Sequence, residues 1–408
     1  MLYDEVYQML KSHGQLHLLR NYDLLNDVEK EQLLQQLSSV DFSLLKYMSS
    51  KDELLTRGKL SPIKTLTLAE IEKNKDNYYK TGLNALQNHK IGVVLLAGGQ
   101  GTRLGSDQPK GAINIGLTKE LYIFECSIRN LLQVVEETGT WIPLYLMTSD
   151  KNNADTITFF KEHNYFGYRK DYLTFFTQEM APSVDYNGKL FMESKSTLSL
   201  SPNGNGGWFY SLEKTGNLDK MKAQGIEWLN VIGVDNVLQK IADPYFVGAT
   251  LSSNCSSSVK VVSKSSPDEK VGILCLEDGK PSIVEYYDMT PEMMVSKGAD
   301  GILQYNYGVI VNYLFCIKDL ESISSSSLPF HLVEKKIPYM DEHNNYINPV
   351  QPNGYKFEAL ILDMVHLIGT CLPYEVERSK EFAPVKNLTG VDSIETARAL
   401  LAQSGYEL

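Results

Sequence analysis

From residue 89 onward, short apolar runs recur between stretches of helical spacing: 91–96, Ile142–Met147, Leu173–Phe176, Trp228–Val234, Val259–Val262, Val271–Leu274 and Val309–Phe315. Runs without polar alternation suit strands buried on both faces. The pieces between them, at 119–137 and 151–163, repeat apolar positions with the period of a helix. This alternation predicts an α/β fold, a Rossmann-like mixed, mostly parallel sheet flanked by helices. Ahead of it, residues 1–88 carry helical spacing throughout. Leu24, Leu25, Val28, Leu33, Leu34 and Leu37 form a stripe that reads as core, with Asp27 and Glu29 near a helix start. Thr67 and Glu70 make a capping-box pair leading into a further helix. The expected organisation is a helical N-terminal region at 1–88 packed against an α/β domain at 89–383, followed by a short C-terminal segment at 384–408. Serine-rich stretches at 252–258 and 322–327 read as surface turns, and no internal repeat is evident.

Composition narrows the class. A chain of 408 residues with 43% hydrophobic content can bury a large core. The start, MLYDEVYQMLKSHGQ, lacks a basic segment followed by a continuous apolar one, and no stretch approaches the roughly 20 apolar residues of a membrane span. A cytoplasmic protein is expected. Cys126, Cys255, Cys275, Cys316 and Cys371 are scattered and form no C-x-x-C pair, which argues for reduced thiols over a disulfide framework or structural zinc. A net charge of −11 makes nucleic acid and anionic membrane poor partners, since both need a basic face.

Candidate chemistry concentrates in residues 91–111, IGVVLLAGGQGTRLGSDQPKG, an apolar strand running into a glycine-rich loop with an Arg and a Lys seven positions apart. Loops after the carboxyl ends of parallel strands are where open α/β sheets bind ligands. Gly98, Gly99, Gly101 and Gly105 allow positive φ and close approach of backbone N–H groups to an anion. Arg103 and Lys110 add positive charge suited to a polyphosphate, so the stretch reads as a nucleoside triphosphate site. The spacing fits neither G-x-G-x-x-G nor G-x-x-x-x-G-K-[ST], because Gly99, Gly101 and Gly105 are spaced G-x-G-x-x-x-G and Lys110 follows Pro109. A triphosphate on an acidic protein also points to magnesium.

The string LAGGQGTRLG followed by PKG resembles the signature of the sugar-nucleotide pyrophosphorylases, specifically the eukaryotic UDP-sugar branch, and further positions along nearly the whole chain are similar to it. The resemblance implies a nucleotidyltransferase domain at 89–383, with Ala97, Gly98, Gly99 and Gly101 around the nucleotide. It implies that Gln178 in FFTQEMAP pairs with the uracil edge; taken alone, an isolated Gln is more often solvated. In SPNGNGGWF, Gly204, Asn205, Gly206 and Gly207 resemble the UDP-N-acetylhexosamine enzymes, whose Asn bonds the N-acetyl group, and not the G-H-G pattern of the UDP-glucose enzymes. Without the family the same string is simply a turn.

Asp235 ends the apolar run WLNVIGVDN and has two readings, a magnesium ligand by resemblance or the N-cap of a helix over NVLQKIADP. Gly272, Glu285 and Asn306, with Gly308, match positions that hold the hexose, and Lys386 in EFAPVKN matches a Lys that reaches the phosphates from the far side. The reaction implied is UTP plus N-acetylglucosamine 1-phosphate giving UDP-N-acetylglucosamine and pyrophosphate, with Mg²⁺ as the ion and Mn²⁺ as a substitute. Arg103, Lys110 and Lys386 would be the catalytic charges and Asp235 the metal ligand.

Two departures from the family pattern stand out. Leu360 and Leu362 in KFEALILDM occupy the place of aromatic residues beside the acetamido methyl group, leaving the choice between N-acetylglucosamine and N-acetylgalactosamine open. The chain runs 22 residues past Lys386, where longer relatives continue into a β region, so a monomer is expected. Competing readings are a UDP-glucose or broad UDP-sugar pyrophosphorylase, against which Asn205 speaks, and a non-catalytic UDP-sugar sensor, against which Arg103, Lys110 and Asp235 speak. No histidine lies in a recognisable nucleophile setting, so hydrolase chemistry has no support.

Overall fold

The computed structural model describes residues 2–49, 57–299, 301–323 and 328–408. Strands run in chain order as β1 (Leu60–Ser61), β2 (Ile91–Leu96), β3 (Leu144–Thr148), β4 (Leu173–Thr177), β5 (Met180–Asp185), β6 (Leu200–Pro202), β7 (Trp228–Gly233) and β8 (Ser257–Ser263). They continue as β9 (Ile273–Glu277), β10 (Lys280–Val284), β11 (Tyr307–Cys316), β12 (His331–Lys335), β13 (Tyr339–Met340), β14 (Tyr346–Ile347), β15 (Gly354–Glu358) and β16 (Leu372–Glu375). The chain divides into two compact units, one built from 58–178, 208–327 and 362–408, the other from 1–57, 179–207 and 328–361.

The larger unit holds a mixed ten-stranded sheet whose main path is β1-β9-β11-β7-β2-β3-β4. Its centre, β7-β2-β3-β4, is parallel, as the unbroken apolar runs predict. All six residues of β2 are buried, so the strand is covered on both faces. Beyond β7 the sheet turns antiparallel through β11, which pairs β7, β8 and β9, while β16 returns parallel to β8. A register shift in β11 between Val309 and Tyr313 lets its start pair with β8 and β9 and its end with β7 and β8. The flanking helix Asn153–Glu162 falls inside the stretch read as helical at 151–163, and Ile123–Thr138 matches the one at 119–137, running one residue past its end. One extensive core joins Val93, Leu95, Phe124, Leu131, Leu146, Phe160, Ile232, Phe246 and Leu401.

Two other helices of this unit, Lys75–Gln87 and Pro244–Leu251, touch backbone to backbone. A Cβ on Gly82 would lie 1.8 Å from the Pro244 carbonyl oxygen, and one on Gly248 would lie 1.7 Å from that of Tyr78. Thr67 and Glu70 form the capping box read from sequence, at the start of helix Leu68–Lys73.

The smaller unit contains the sheet β12-β15-β5-β6 and a hairpin of β13 and β14. The N-terminal helices join it because Val6, Leu10, Leu18, Leu33 and Leu37 share a core with Val184, Leu190, Leu198, Tyr355 and Phe357. Gln15 reinforces this, donating through Nε2 to Gly188 O at 2.8 Å and accepting from Leu190 N–H at 3.1 Å.

Three expectations from the sequence are corrected. Leu24 and Val28 are 70% and 65% exposed, because the helix starts only at Asp27, with Asn26 capping Glu29, and turns Val28 outward. Ser257 and Ser258 are not turn residues but the buried start of β8, their hydroxyls bonded to the carbonyls of Thr370 and Leu372 at 2.7 Å. Ser322 ends helix Ile317–Ser322, and 324–327 of the second serine stretch lie outside the described residues.

Candidate functional site

The carboxyl ends of β4, β3, β2 and β7 lie side by side along one edge of the large sheet, and each delivers a polar group. After β2, Ala97 donates its N–H to Met147 O at 2.9 Å, and the chain then turns into the glycine loop. The loop folds back on itself, Gly101 N–H bonding Gln108 O at 2.9 Å and Lys110 N–H bonding Gly99 O at 3.2 Å. Of its four glycines, Gly105 uses the freedom of positive φ, at 71°, and the other three do not. The others serve close approach: a Cβ on Gly101 would sit 2.6 Å from Ile113 Cδ1, and one on Gly98 would sit 2.7 Å from Gln178 Nε2. Gly99 has open space beside it.

Asn152, in the turn after β3, fixes this loop. Fully buried, it donates through Nδ2 to Ala97 O at 3.0 Å and Gly99 O at 3.2 Å and accepts from Ser149 N–H at 2.8 Å. Nothing in the reading of the sequence singled it out, although an Asn just after the carboxyl end of a buried strand was the available signal. Gln178 follows β4 directly, is buried, and bonds Thr148 O through its N–H at 2.8 Å. Its amide therefore lies against Gly98, at the far side of the loop from β7.

Asp235 follows β7 as a turn residue, and the next helix begins only at Pro244 with Asp243 as its N-cap. The N-cap reading of Asp235 is therefore overturned. Its carboxylate faces Lys110 instead, Oδ1 to Nζ 2.6 Å, with side-chain exposures of 42% and 14%. Lys386 is brought alongside by backbone pairing of the two segments, Val385 N–H donating to Asp235 O at 2.8 Å and Val237 N–H to Ala383 O at 3.2 Å. The Lys386 ammonium pairs with Asp392 Oδ2 at 3.1 Å. Arg103 is exposed on a single turn at Thr102–Leu104.

A solvent-accessible carboxylate already turned toward a cation suits a hard ion such as Mg²⁺ or Mn²⁺. Among the described residues no group of three or more His, Cys, Asp or Glu gathers to hold a metal.

On the other side of β7, Gly272, Glu285, Asn306 and Gly308 collect around the start of β11. Gly308 pairs with Ile273, and Val284, just before Glu285, pairs with the same Ile273. A Cβ on Gly272 would lie 3.7 Å from Glu285 Oε1. Asn306 donates through Nδ2 to Ser263 Oγ at 3.2 Å.

Gly204 and Asn205 belong to the smaller unit, where 203–206 pairs with 359–361: Ala359 N–H donates to Asn203 O at 2.7 Å and Gly206 N–H to Ala359 O at 2.8 Å. Gly204 has φ +89°, and a Cβ there would lie 2.2 Å from Ala359 O. The exposed Asn205 accepts the Ile361 N–H on Oδ1 at 3.0 Å, which fixes which end of its amide carries the donors. A Cβ on Gly206 would meet the Leu360 backbone at 2.6 Å.

A second polar cluster went unread. Lys260, within the apolar run of β8, is fully buried and pairs with Asp243 Oδ2 at 2.8 Å and Glu381 Oε2 at 2.6 Å. Burial pushes the Asp243 carboxyl up, but the Lys260 charge and hydrogen bond outweigh it and hold it below the usual range. Burial, with Asp243 adjacent, leaves Glu381 raised. Burial also lowers Lys260, and the two carboxylates more than reverse that. A lysine inside an apolar strand was the signal, since a buried charge demands a partner.

Comparison with known proteins shows the family. Residues 41–404 match the family described as UTP–glucose-1-phosphate uridylyltransferase. The UDP-N-acetylglucosamine pyrophosphorylase of Saccharomyces cerevisiae is 35% identical over 98% of this chain and 89% of its own length. UDP-N-acetylhexosamine pyrophosphorylase-like protein 1 of Mus musculus is 34% identical over 98% of this chain and 84% of its own. The crystal structure of the uridine diphosphate N-acetylglucosamine pyrophosphorylase of Trypanosoma brucei superposes with a TM-score of 0.84 at 27% identity, covering 98% of this chain and 84% of that one.

Proposed function

Since the chain belongs to the UTP–glucose-1-phosphate uridylyltransferase family, we propose that it transfers a uridylyl group from UTP to N-acetylglucosamine 1-phosphate, giving UDP-N-acetylglucosamine and pyrophosphate reversibly. The observation that carries this reading is the order of groups along the sheet edge: Gln178 after β4, the glycine loop after β2, Asp235 after β7, and Gly272, Glu285 and Asn306 about β9 and β11. Base, phosphates, metal and hexose follow one another in the same order in a sugar nucleotide. From β4 to β11 is four strand spacings, about 19 Å at roughly 4.8 Å each, a span that needs an elongated ligand.

In the reaction, an oxygen of the sugar phosphate attacks the α-phosphorus of UTP in line. The bond from that phosphorus to the α,β-bridging oxygen breaks, and pyrophosphate leaves with the electron pair. A phosphate dianion is already a competent nucleophile, so no enzyme nucleophile is required. The protein's part is to align two anions and stabilise charge growing on the bridging and leaving oxygens. Lys110 and Arg103 serve the triphosphate and Lys386 the sugar phosphate, while Gln178 reads uracil and Asn205 donates its amide N–H to the acetamido carbonyl. Mg²⁺ on Asp235, with Mn²⁺ as a substitute, would neutralise phosphate charge when bound.

The test is pyrophosphate release from UTP and Mg²⁺ with N-acetylglucosamine 1-phosphate, N-acetylgalactosamine 1-phosphate and glucose 1-phosphate in parallel. Release with the acetamido sugars alone is expected. A preference for glucose 1-phosphate would overturn the role given to Asn205, and no release from any of the three, with UDP-N-acetylglucosamine still bound, would make the protein a sensor.

A further inference from the structure

The segment carrying Asp235 and the segment carrying Lys386 are stitched together and then held from behind by one buried charged cluster. Asn236 donates through Nδ2 to Glu381 O at 2.7 Å and accepts from Ala383 N–H on Oδ1 at 2.9 Å. Together with the bonds from Val385 to Asp235 and from Val237 to Ala383, these make 235–237 and 381–385 one unit of backbone. Below it, Lys260 donates from a single Nζ to Asp243, to Glu381 and to the Lys240 carbonyl, the last at 3.3 Å. Glu381 Oε2 also accepts the Lys240 N–H at 3.4 Å. One ammonium on β8 thus reaches the far end of the stretch that begins at Asp235 and the start of the strap that ends at Lys386.

Such a cluster is a poor device for stability alone, because taking three ionisable groups out of water offsets most of their attraction and a well-packed apolar set often does as well. Val262, two positions along β8 and on the same face as Lys260, is buried and apolar. What charge adds is fixed geometry, with each donor directed at a particular oxygen.

We infer that Lys260, Asp243 and Glu381 are positioning residues of the transfer site, setting the spacing between the Asp235 carboxylate and the Lys386 ammonium. They are buried and act only through the two segments they tie. The inference rests on the uridylyl-transfer reading for its consequence and on the hydrogen bonds for its existence.

Glu381→Gln tests it most cleanly, since it keeps the shape and an acceptor oxygen, and Asp243→Asn is a second variant that retains a cap for Pro244–Leu251. In Glu381→Gln the concentration of Mg²⁺ for half-maximal rate and the KM for N-acetylglucosamine 1-phosphate are expected to rise on the order of 10-fold to 100-fold, as for lost outer-shell partners at metal sites. The KM for UTP, whose base and loop contacts lie on β4 and β2, should change much less. Hydrogen exchange of the Val237, Ala383 and Val385 amides, read without substrate, should accelerate while that of β2 stays unchanged.

Equal changes in all three kinetic constants, or unaltered exchange at those amides in both variants, would overturn the inference. If wild-type protein turns over no sugar 1-phosphate, the transfer reading fails; the exchange measurement, with calorimetric titration of Mn²⁺ alone into wild type and Glu381→Gln, then decides the latch independently. Weaker Mn²⁺ binding in the variant supports it, and equal binding overturns it.

Discussion

Lys110 and Asp235 meet at 2.6 Å across the mouth of the site, and this pair shows how much one residue's surroundings add to its identity. Lys110 is mostly covered and its ammonium is already aimed, so its loss removes a preorganised charge and not a solvated one. Lys110→Ala should lower kcat by on the order of 10² to 10³ with little change in melting temperature, measured by pyrophosphate release and thermal denaturation. Retention of most of the turnover would remove Lys110 from the mechanism. Asn205 allows a sharper experiment, because its Oδ1 is engaged by Ile361 N–H and only Nδ2 has donors to offer. Asn205→Asp keeps the acceptor and deletes the donors, so the preference for N-acetylglucosamine 1-phosphate over glucose 1-phosphate should fall on the order of tenfold, the worth of about one hydrogen bond. The loop composition NGNGG was visible in the sequence, but that the amide oxygen of Asn205 would be taken by the Ile361 backbone, 156 positions on, was not.

At the scale of elements, close backbone approach does work that periodicity does not register. Helices Lys75–Gln87 and Pro244–Leu251 cross at Gly82 and Gly248 with no room for a methyl group. Gly248→Ala should destabilise the protein by about 1–3 kcal/mol or more through overpacking, seen as a lower melting temperature with unchanged KM values in the folded fraction. An unchanged melting temperature would mean that the helices can separate freely. Neither glycine stands out in its own segment, since a glycine inside a helical pattern reads only as a weakness until its partner helix is known. The 203–207 loop follows the same rule. Its glycines read as a turn, and the requirement at Gly204 and Gly206 comes from Ala359 and Leu360, more than 150 positions away in the chain.

For the whole molecule, the buried Lys260 cluster links acid–base chemistry to stability. The Glu381 carboxyl is raised above its ordinary 4.5 by burial, with Asp243 adding to the rise and Lys260 and Lys240 opposing it without reversing it. Folding therefore favours its protonated form. The contribution is fully present below about pH 4.5, the unfolded value, and is lost as pH rises through the raised folded value. Wild type should accordingly lose stability relative to Glu381→Gln over that rise, measured by denaturant unfolding at a series of pH values. Parallel curves for the two proteins would show that Glu381 is ionised throughout. Asp243, held low, acts in the opposite sense, its contribution being present above about pH 3.8 and lost only as pH falls through its lowered folded value.

Local patterns in the chain were enough to read the parallel centre of the sheet, its flanking helices and a glycine loop at the sheet's carboxyl edge. Unbroken apolar runs, helical periods and a glycine string with its Arg and Lys are local properties that can be read within a few residues. Only the tertiary structure decided that the N-terminal helices join 179–207 and 328–361 in one unit, that Asp235 faces Lys110 and caps no helix, and that Asn152 holds the glycine loop. The same is true of the lysine on β8 that ties the strap of Lys386 to the segment of Asp235, with Lys260 and Glu381 separated by 121 positions. A side chain's partner at such a distance depends on the path of the chain between them, and neither residue carries any local mark of it.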